Sequence, residues 1–247
     1  LEVVKTLGML NADFFIVVAF GQILDKALLA LPLHFCINLH SSLLPKYRGA
    51  APINWSIING ETEAGITTMK MDVGLDTGDI LLAHKVPIND DDDAQSLHDT
   101  LAQKGSDLVL ETLNQFDFGS LEGTSQNIEL ASYAPKLKKE DGLIQWDQPA
   151  VKIHNLVRGL APWPGAFSFL ESKRFKICKT EIKSCDSSNQ PGVILRISGC
   201  GIEVGTQSKK IIITELQPEG KKRMDVKSFL AGHKLSIGSK FEKQSSL

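Results

Sequence analysis

The chain has 247 residues, of which 42% are hydrophobic, 23% charged and 6% aromatic, values close to those of ordinary globular protein. They exclude disorder, collagen and coiled coil, and the length allows one large domain or two smaller ones, each with a real core. The net charge of −2 divides unevenly: residues 1–118 hold 16 acidic and 7 basic side chains, whereas residues 119–247 hold 13 acidic and 20 basic.

From Leu1 to Leu10, apolar Val3, Val4, Leu7 and Leu10 recur at helical spacing. Phe14 to Ala19 is a continuous apolar run between Asp13 and Gly21, the pattern of a parallel strand covered on both faces. The run from Phe14 to Phe20 is strand-sized, well short of the ~18 residues of a membrane span, so no membrane association is expected. A parallel strand cannot found a sheet alone; its partners are expected downstream or in a front segment preceding Leu1. Asp25 to Ala30 reads as a short helix, Cys36 to His40 as a strand, and Ala51 to Asn59 as a helix with Pro52 in its first turn and Gly60 at its end. Gly65 to Met71 and Ile80 to Val86 are β-rich. A long helix follows from about Ala94 to Phe116, opened by the acidic run Asp90 to Asp93, which reads as a capped, solvated loop rather than a metal site. Strand and helix in alternation predict an α/β fold with a partial, Rossmann-like, mostly parallel sheet.

Residues 119–135 hold Gly119, Gly123, Ser120, Ser125, Ser132 and Pro135, a linker composition. Beyond it the grammar changes. One helix, Ala150 to Gly159, precedes short strands at Ala166 to Leu170, Phe175 to Ile182, Gly192 to Ser198, Gly201 to Val204 and Lys210 to Glu215, which predict a small β-barrel. The domains expected are therefore 1–118, a linker 119–135, and a barrel 136–247. The basic second half reads either as a module that meets a polyanion or as a lysine-rich solubilising surface. Cys36, Cys178, Cys185 and Cys200 have no C-x-x-C spacing, so free thiols in a reducing compartment are expected. Cys36 reads as an inert core thiol.

The polar residues of the first module fall near strand C-termini, where doubly wound folds bind ligands. Asn38 and His40 lie two apart on one strand and share a face. The segment Ser41 to Gly49 follows, and Met71 to Asp79 offers three carboxylates among two glycines. Singly, the histidine could be a structural hydrogen-bonder and the glycine-bearing loop an ordinary turn. Together, Asn38-Leu39-His40-Ser41-Ser42-Leu43-Leu44-Pro45 and Asp76 within Gly-Leu-Asp-Thr-Gly-Asp resemble the signature of the folate-dependent formyltransferase family. Arg48 to Ile53 and Met71 to Asp79 are similar to its methionyl-tRNA branch, as are Ser132 to Leu137, Pro162 to Ala166 and Leu216 to Met224 in the second module.

The resemblance implies transfer of a formyl group from 10-formyltetrahydrofolate to the α-amine of initiator methionyl-tRNA, with no metal. Attack on the formyl carbon gives an oxyanion to which Asn38 and a protonated His40 would donate, while Asp76 orients the ring and accepts a proton through a water. It implies a folate site made by Gln22, Ile23, Leu24, Ser42, Leu43, Leu44, Pro45, Val73 and Leu75; core packing is the alternative for each of the aliphatic residues. An OB-like barrel would hold tRNA through Lys136, Lys138, Arg158, Lys221, Lys222 and Arg223. Surface solvation is the alternative for any one lysine, and Trp163 reads as a packed loop anchor rather than a stacking platform. A monomer in the bacterial cytoplasm or an organellar matrix is expected. Two other readings stand beside this one: an amino-sugar nucleotide formyltransferase, or a tRNA-binding fragment without catalysis.

Overall fold

The computed structural model describes residues 2–183 and 190–243; Cys185 lies outside the described residues. The chain forms two compact units. The first runs to Lys136, except for Ile57–Gly60 and Asp91–Gln95, which group with the second.

In the first unit, α1 (Glu2–Gly8), β1 (Phe14–Val18), α2 (Lys26–Leu29), β2 (Phe35–His40), β3 (Arg48–Gly49), α3 (Pro52–Ile58), β4 (Glu63–Lys70), β5 (Ile80–Pro87), α4 (Ala94–Asp117) and β6 (Tyr133–Ala134) follow in order. The main sheet runs β1-β2-β4-β5. Strands β1 and β2 are parallel, from Phe14 opposite Phe35 to Val18 opposite Leu39, whereas β4 pairs antiparallel with both β2 and β5. The α/β class holds, but among the described strands the sheet is mixed rather than mostly parallel. Residues 71–79, which join β4 to β5, are too few for the crossover that parallel strands need.

Helix α4 covers the sheet through Leu97, Leu101, Leu108 and Thr112, all buried and at helical spacing. Its one fully buried hydroxyl, Thr112, meets the hydroxyl of Thr68 on β4 at 2.8 Å, which satisfies both inside the core. The 119–135 segment, linker-like in composition, lies along this unit. Thr124 and Ile80 exchange both backbone hydrogen bonds, and β6 pairs in parallel with β3.

The second unit contains α5 (Ala150–Gly159), β7 (Ala166–Leu170), β8 (Lys173–Lys183), β9 (Ile194–Ser198), β10 (Gly201–Gly205), β11 (Lys210–Pro218), β12 (Met224–Asp225) and α6 (Val226–Gly232). The sheet is antiparallel in the order β7-β8-β11-β10-β9, with β12 on β11. Its two edges are β7 and β9. Both are met by one C-terminal strap: Phe169 and Glu242 exchange hydrogen bonds, Ile194 N–H donates to Ser239, and Phe241 N–H donates to Gly192. The strap turns the open sheet into a barrel and leaves no free edge between β7 and β9. Phe241 is 2% exposed and stacks on Trp146 at 5.4 Å inside the apolar core. In α5, Ala150, Ile153 and Val157 face the same core.

Burial pushes the thiols of Cys36, in the core, and of the half-buried Cys178 above their ordinary value. Trp163, expected to anchor its loop, is instead 55% exposed. The loop is closed by the Gly165 N–H to Leu160 carbonyl bond and by Lys176 Nζ on the Pro162 carbonyl, so the indole is not needed to hold it.

If the strap is structural, Phe241→Ala removes both the plug and the stack on Trp146. It should destabilise the second unit by about 3–5 kcal/mol, read as a lower denaturant midpoint of the barrel's Trp146 fluorescence.

Candidate active site

Parallel β1 and β2 end on the same side, so the segments after them, residues 19–25 and 41–47, open at one mouth of the sheet. A cavity of about 630 Å³ lies there, within the range of small-molecule sites. Asn38 and His40 reach it from alternate positions of β2, and Asp76 reaches it from the loop between β4 and β5.

The turn after β2 is held from below. Thr67, fully buried on β4, donates to the Ser42 carbonyl at 2.6 Å and accepts from Leu44 N–H, while Ser42 Oγ donates to the Lys46 carbonyl at 2.6 Å. This turn aims the Tyr47 carbonyl at His40 Nε2, 2.9 Å away. A carbonyl only accepts, so Nε2 carries the hydrogen and the ring's tautomer is fixed. The other nitrogen, Nδ1, is the one that gains or loses a proton, and it lies 3.7 Å from Asp76 Oδ2.

Asp76 sits at φ +54°, left-handed backbone that is strained for a residue other than glycine. Its Oδ2 accepts from Gly49 N–H at 2.8 Å and its Oδ1 from Asn38 Nδ2 at 3.4 Å. Because a carboxylate accepts, the Asn38 nitrogen must face it, which leaves the second N–H of that amide for an oxygen in the cavity. The other two carboxylates of the loop have structural work. Asp72 accepts from Gly74 N–H and Thr77 Oγ1, and Asp79 accepts from Ser125 Oγ. The loop closes on itself at Gly78, where an added Cβ would come within 1.7 Å of the Lys70 carbonyl.

Of the residues expected at the cofactor, Gln22, Ile23 and Leu75 line the cavity. Leu24, Ser42, Leu43, Leu44, Pro45 and Val73 are not among its walls. Ser42 and Leu44 are buried under the turn, Leu43 packs over Gly65 of β4, and Val73 points into solvent. The turn thus shapes the site from beneath.

The family model described as formyl transferase matches residues 1–113, and the model of the formyl transferase C-terminal domain matches residues 136–234. The methionyl-tRNA formyltransferase of Citrifermentans bemidjiense is 52% identical over 96% of this chain and 74% of its own length. That of Geobacter sulfurreducens is 51% identical over 97% and 75%. The chain belongs to the methionyl-tRNA formyltransferase branch of the formyl transferase family. Solved structures share the fold at low identity. HypX from Aquifex aeolicus in complex with tetrahydrofolic acid superposes with a TM-score of 0.69 at 18% identity, over 96% of this chain and 44% of that one. The sugar 3N-formyl transferase WlaRD gives 0.67 at 22% identity, over 87% and 77%.

Within this formyl transferase, the cavity has walls that the sequence patterns missed. Arg48, Gly49, Tyr133, Ala134 and Pro135 line it, brought there by the β3–β6 pair. Each of these strands has two residues, too short for any periodicity to announce. Lys136 also lies on the cavity wall, and Lys138 is exposed.

In the second unit, Lys221 and Lys222 stand exposed on the turn between β11 and β12. The two arginines expected beside them are engaged internally. Arg158 donates from Nε to Asn155 Oδ1 and from Nη1 to the Asp92 carbonyl, both at 2.9 Å. Arg223 donates to Glu215 at 2.6 Å, and that carboxylate holds its guanidinium above the usual value. Among the described residues no cluster of metal-binding side chains occurs, and no helix is long and apolar enough to cross a membrane.

Gly49 has φ +114°, and an added Cβ would lie 2.8 Å from the Ala134 carbonyl. Gly49→Ala is therefore expected to destabilise the first unit by about 1–3 kcal/mol. Chemical denaturation followed by circular dichroism measures it, and an unchanged midpoint would show that the β3–β6 pair can relax.

Proposed function

We propose that the protein transfers the formyl group of 10-formyltetrahydrofolate to the α-amine of initiator methionyl-tRNA. The observation that carries this reading is the convergence of Asn38, His40 and Asp76, from two separate segments, on one cavity. The identity of about half to methionyl-tRNA formyltransferases along nearly the whole chain supports that acceptor.

The cavity suits a reduced folate: it is large enough for a bicyclic ring, has an apolar wall at Val17, Val18, Phe20 and Ile23, and offers backbone groups between Val17 and Gln22. Gln22, Ile23 and Leu75 would hold the ring, and the bound folate supplies the activated one-carbon unit. The protein's own residues do the rest. The free Asn38 N–H donates to the formyl oxygen as negative charge builds on it, a preorganised donor that needs no reorientation. His40, with Nε2–H held by the Tyr47 carbonyl, exchanges its proton at Nδ1: as the bond from the formyl carbon to the folate nitrogen breaks, that nitrogen takes the proton and tetrahydrofolate leaves. Imidazole suits that exchange because one ring nitrogen can hold or release a proton while the other stays hydrogen-bonded. Asp76 fixes the ring from Oδ2, faces the proton held at Nδ1, and can draw one from the incoming ammonium through a water.

We assign the catalytic work to residues 1–118, with Tyr133 to Lys136 completing the cavity wall, and the contact with tRNA to 136–247, with the exposed Lys136, Lys138, Lys221 and Lys222 meeting phosphates. Such contacts supply affinity and leave sequence unread. Arg158 enters that surface only by giving up internal partners, whereas Arg223, its side chain 54% exposed, pairs with Glu215 through Nε alone. An enzyme that prepares the initiator works where translation starts, in the bacterial cytoplasm or an organellar matrix.

Formyl transfer from labelled donor to methionyl-tRNA, with a dTDP-amino sugar offered in parallel, tests the assignment. Asn38→Ala, His40→Ala and Asp76→Ala should each lose about 10²–10³ in kcat/KM while remaining folded. Near-normal turnover by the His40 variant would refute the mechanism, and preference for the sugar would refute the acceptor. In tRNA binding, Lys221→Ala with Lys222→Ala should flatten the dependence of log K on log salt by roughly one to two units. An unchanged slope would remove the turn from the interface.

A further inference from the structure

Gln126 lies in the stretch whose composition reads as linker, and it does not line the cavity. Its side chain nevertheless binds the reactive loop at two carbonyls, one on Asp76 itself and one two residues beyond it. Nε2 donates to the Asp76 carbonyl at 2.9 Å and to the Gly78 carbonyl at 2.7 Å. Its Oε1 accepts from Arg48 Nε at 3.1 Å and Nη2 at 2.7 Å. A guanidinium only donates, so Oε1 must face Arg48 and the NH₂ must face the two carbonyls; the orientation of the amide is dictated rather than chosen. Arg48 is 3% exposed, which makes the anchor rigid.

We propose that Gln126, held by the buried Arg48, is the positioning residue that keeps Asp76 in its strained left-handed conformation opposite His40. The proposal rests on the functional reading above. Three consecutive residues tie the parts together. The Tyr47 carbonyl holds the His40 ring, the Arg48 side chain holds Gln126, and the Gly49 N–H holds the Asp76 carboxylate. A shift of Arg48 would therefore move the imidazole, the carboxylate and the loop together. Without Gln126, nothing else in this set grips the backbone of Asp76, and a left-handed aspartate is free to relax toward ordinary φ values. The carboxylate would then leave Nδ1.

Gln126→Glu separates the two halves of the interaction. A carboxylate still accepts from Arg48, and more strongly, but cannot donate to the Asp76 and Gly78 carbonyls. We expect kcat to fall at least about tenfold with the KM for methionyl-tRNA within about threefold and the fold intact, because loss of alignment costs rate rather than binding. The pair Arg48→Met with Gln126→Leu removes the cation and the amide together at similar volume, and should reproduce the loss should the glutamate variant fail to fold. Histidine-selective NMR at fixed pH, with His40 assigned by His40→Gln, reads the positioning without turnover: the His40 ring signal should move in Gln126→Glu. A folded Gln126→Glu protein with kcat within about twofold of wild type and an unmoved His40 signal would overturn the proposal. Wild-type protein that formylates nothing, yet shows the displaced His40 signal in the variant, would refute the functional reading and leave the positioning role standing.

Discussion

The Asp76 carboxylate is the point on which the first unit turns. Its side chain is only 13% exposed, so its charge must be met by donors, and these come from places far apart in the chain: the Asn38 amide on β2 and the Gly49 N–H on β3. Meeting it requires the 71–79 loop to fold back over the sheet end and the turn after β2 to bring β3 alongside. Those two movements make the cavity. Remove the carboxylate and both neighbours lose the partner that fixes their orientation, so Asp76 serves the geometry of the site as well as its chemistry.

Much of the architecture is legible in the sequence, because burial leaves a pattern. The apolar run of β1, the alternation of the barrel strands, and α5 and β7 with their observed bounds all follow from periodicity. Strand direction is different. Nothing in the Gly65 to Met71 composition says that it runs antiparallel to β2, and the connection of residues 41–62, which carries α3, is long enough for either direction; only the 71–79 link between β4 and β5 is too short for a crossover. At the site, Asn38, His40 and Asp76 are legible as polar residues at strand ends and in a glycine-bearing loop. Arg48 and Gln126 are not. A buried arginine looks like any surface cation in sequence, and a glutamine among serines and glycines looks like solvent-facing chain until its two carbonyl partners are seen.

The segment from Ser42 to Pro45, expected at the cofactor, lies outside the cavity lining and supports the site from beneath. The backbone of Ser42 and Leu44 is tied to Thr67, and the Leu43 side chain packs over Gly65. Their effect travels one step further along the chain, to the Tyr47 carbonyl that fixes the tautomer of His40. A loop with an internal framework of this kind holds a carbonyl in place more tightly than one whose side chains are committed to a ligand that comes and goes.

In the second unit the excess of positive charge is sorted by side-chain chemistry. Arg158 uses two arms of its guanidinium for fixed internal bonds, to an amide and a carbonyl, whereas the half-exposed Arg223 holds the Glu215 carboxylate through Nε alone. The lysines at 221 and 222 remain exposed on a turn whose backbone is pinned by Gln217 Nε2 on the Lys221 carbonyl. A compact ammonium on a flexible stem needs no set angle of approach, so it can follow a phosphate backbone whose register differs from one position to the next. The barrel supplies the rigidity for that display because its strap ties both sheet edges. A stiff barrel that carries flexible, exposed lysines would suit the phosphate contacts proposed above.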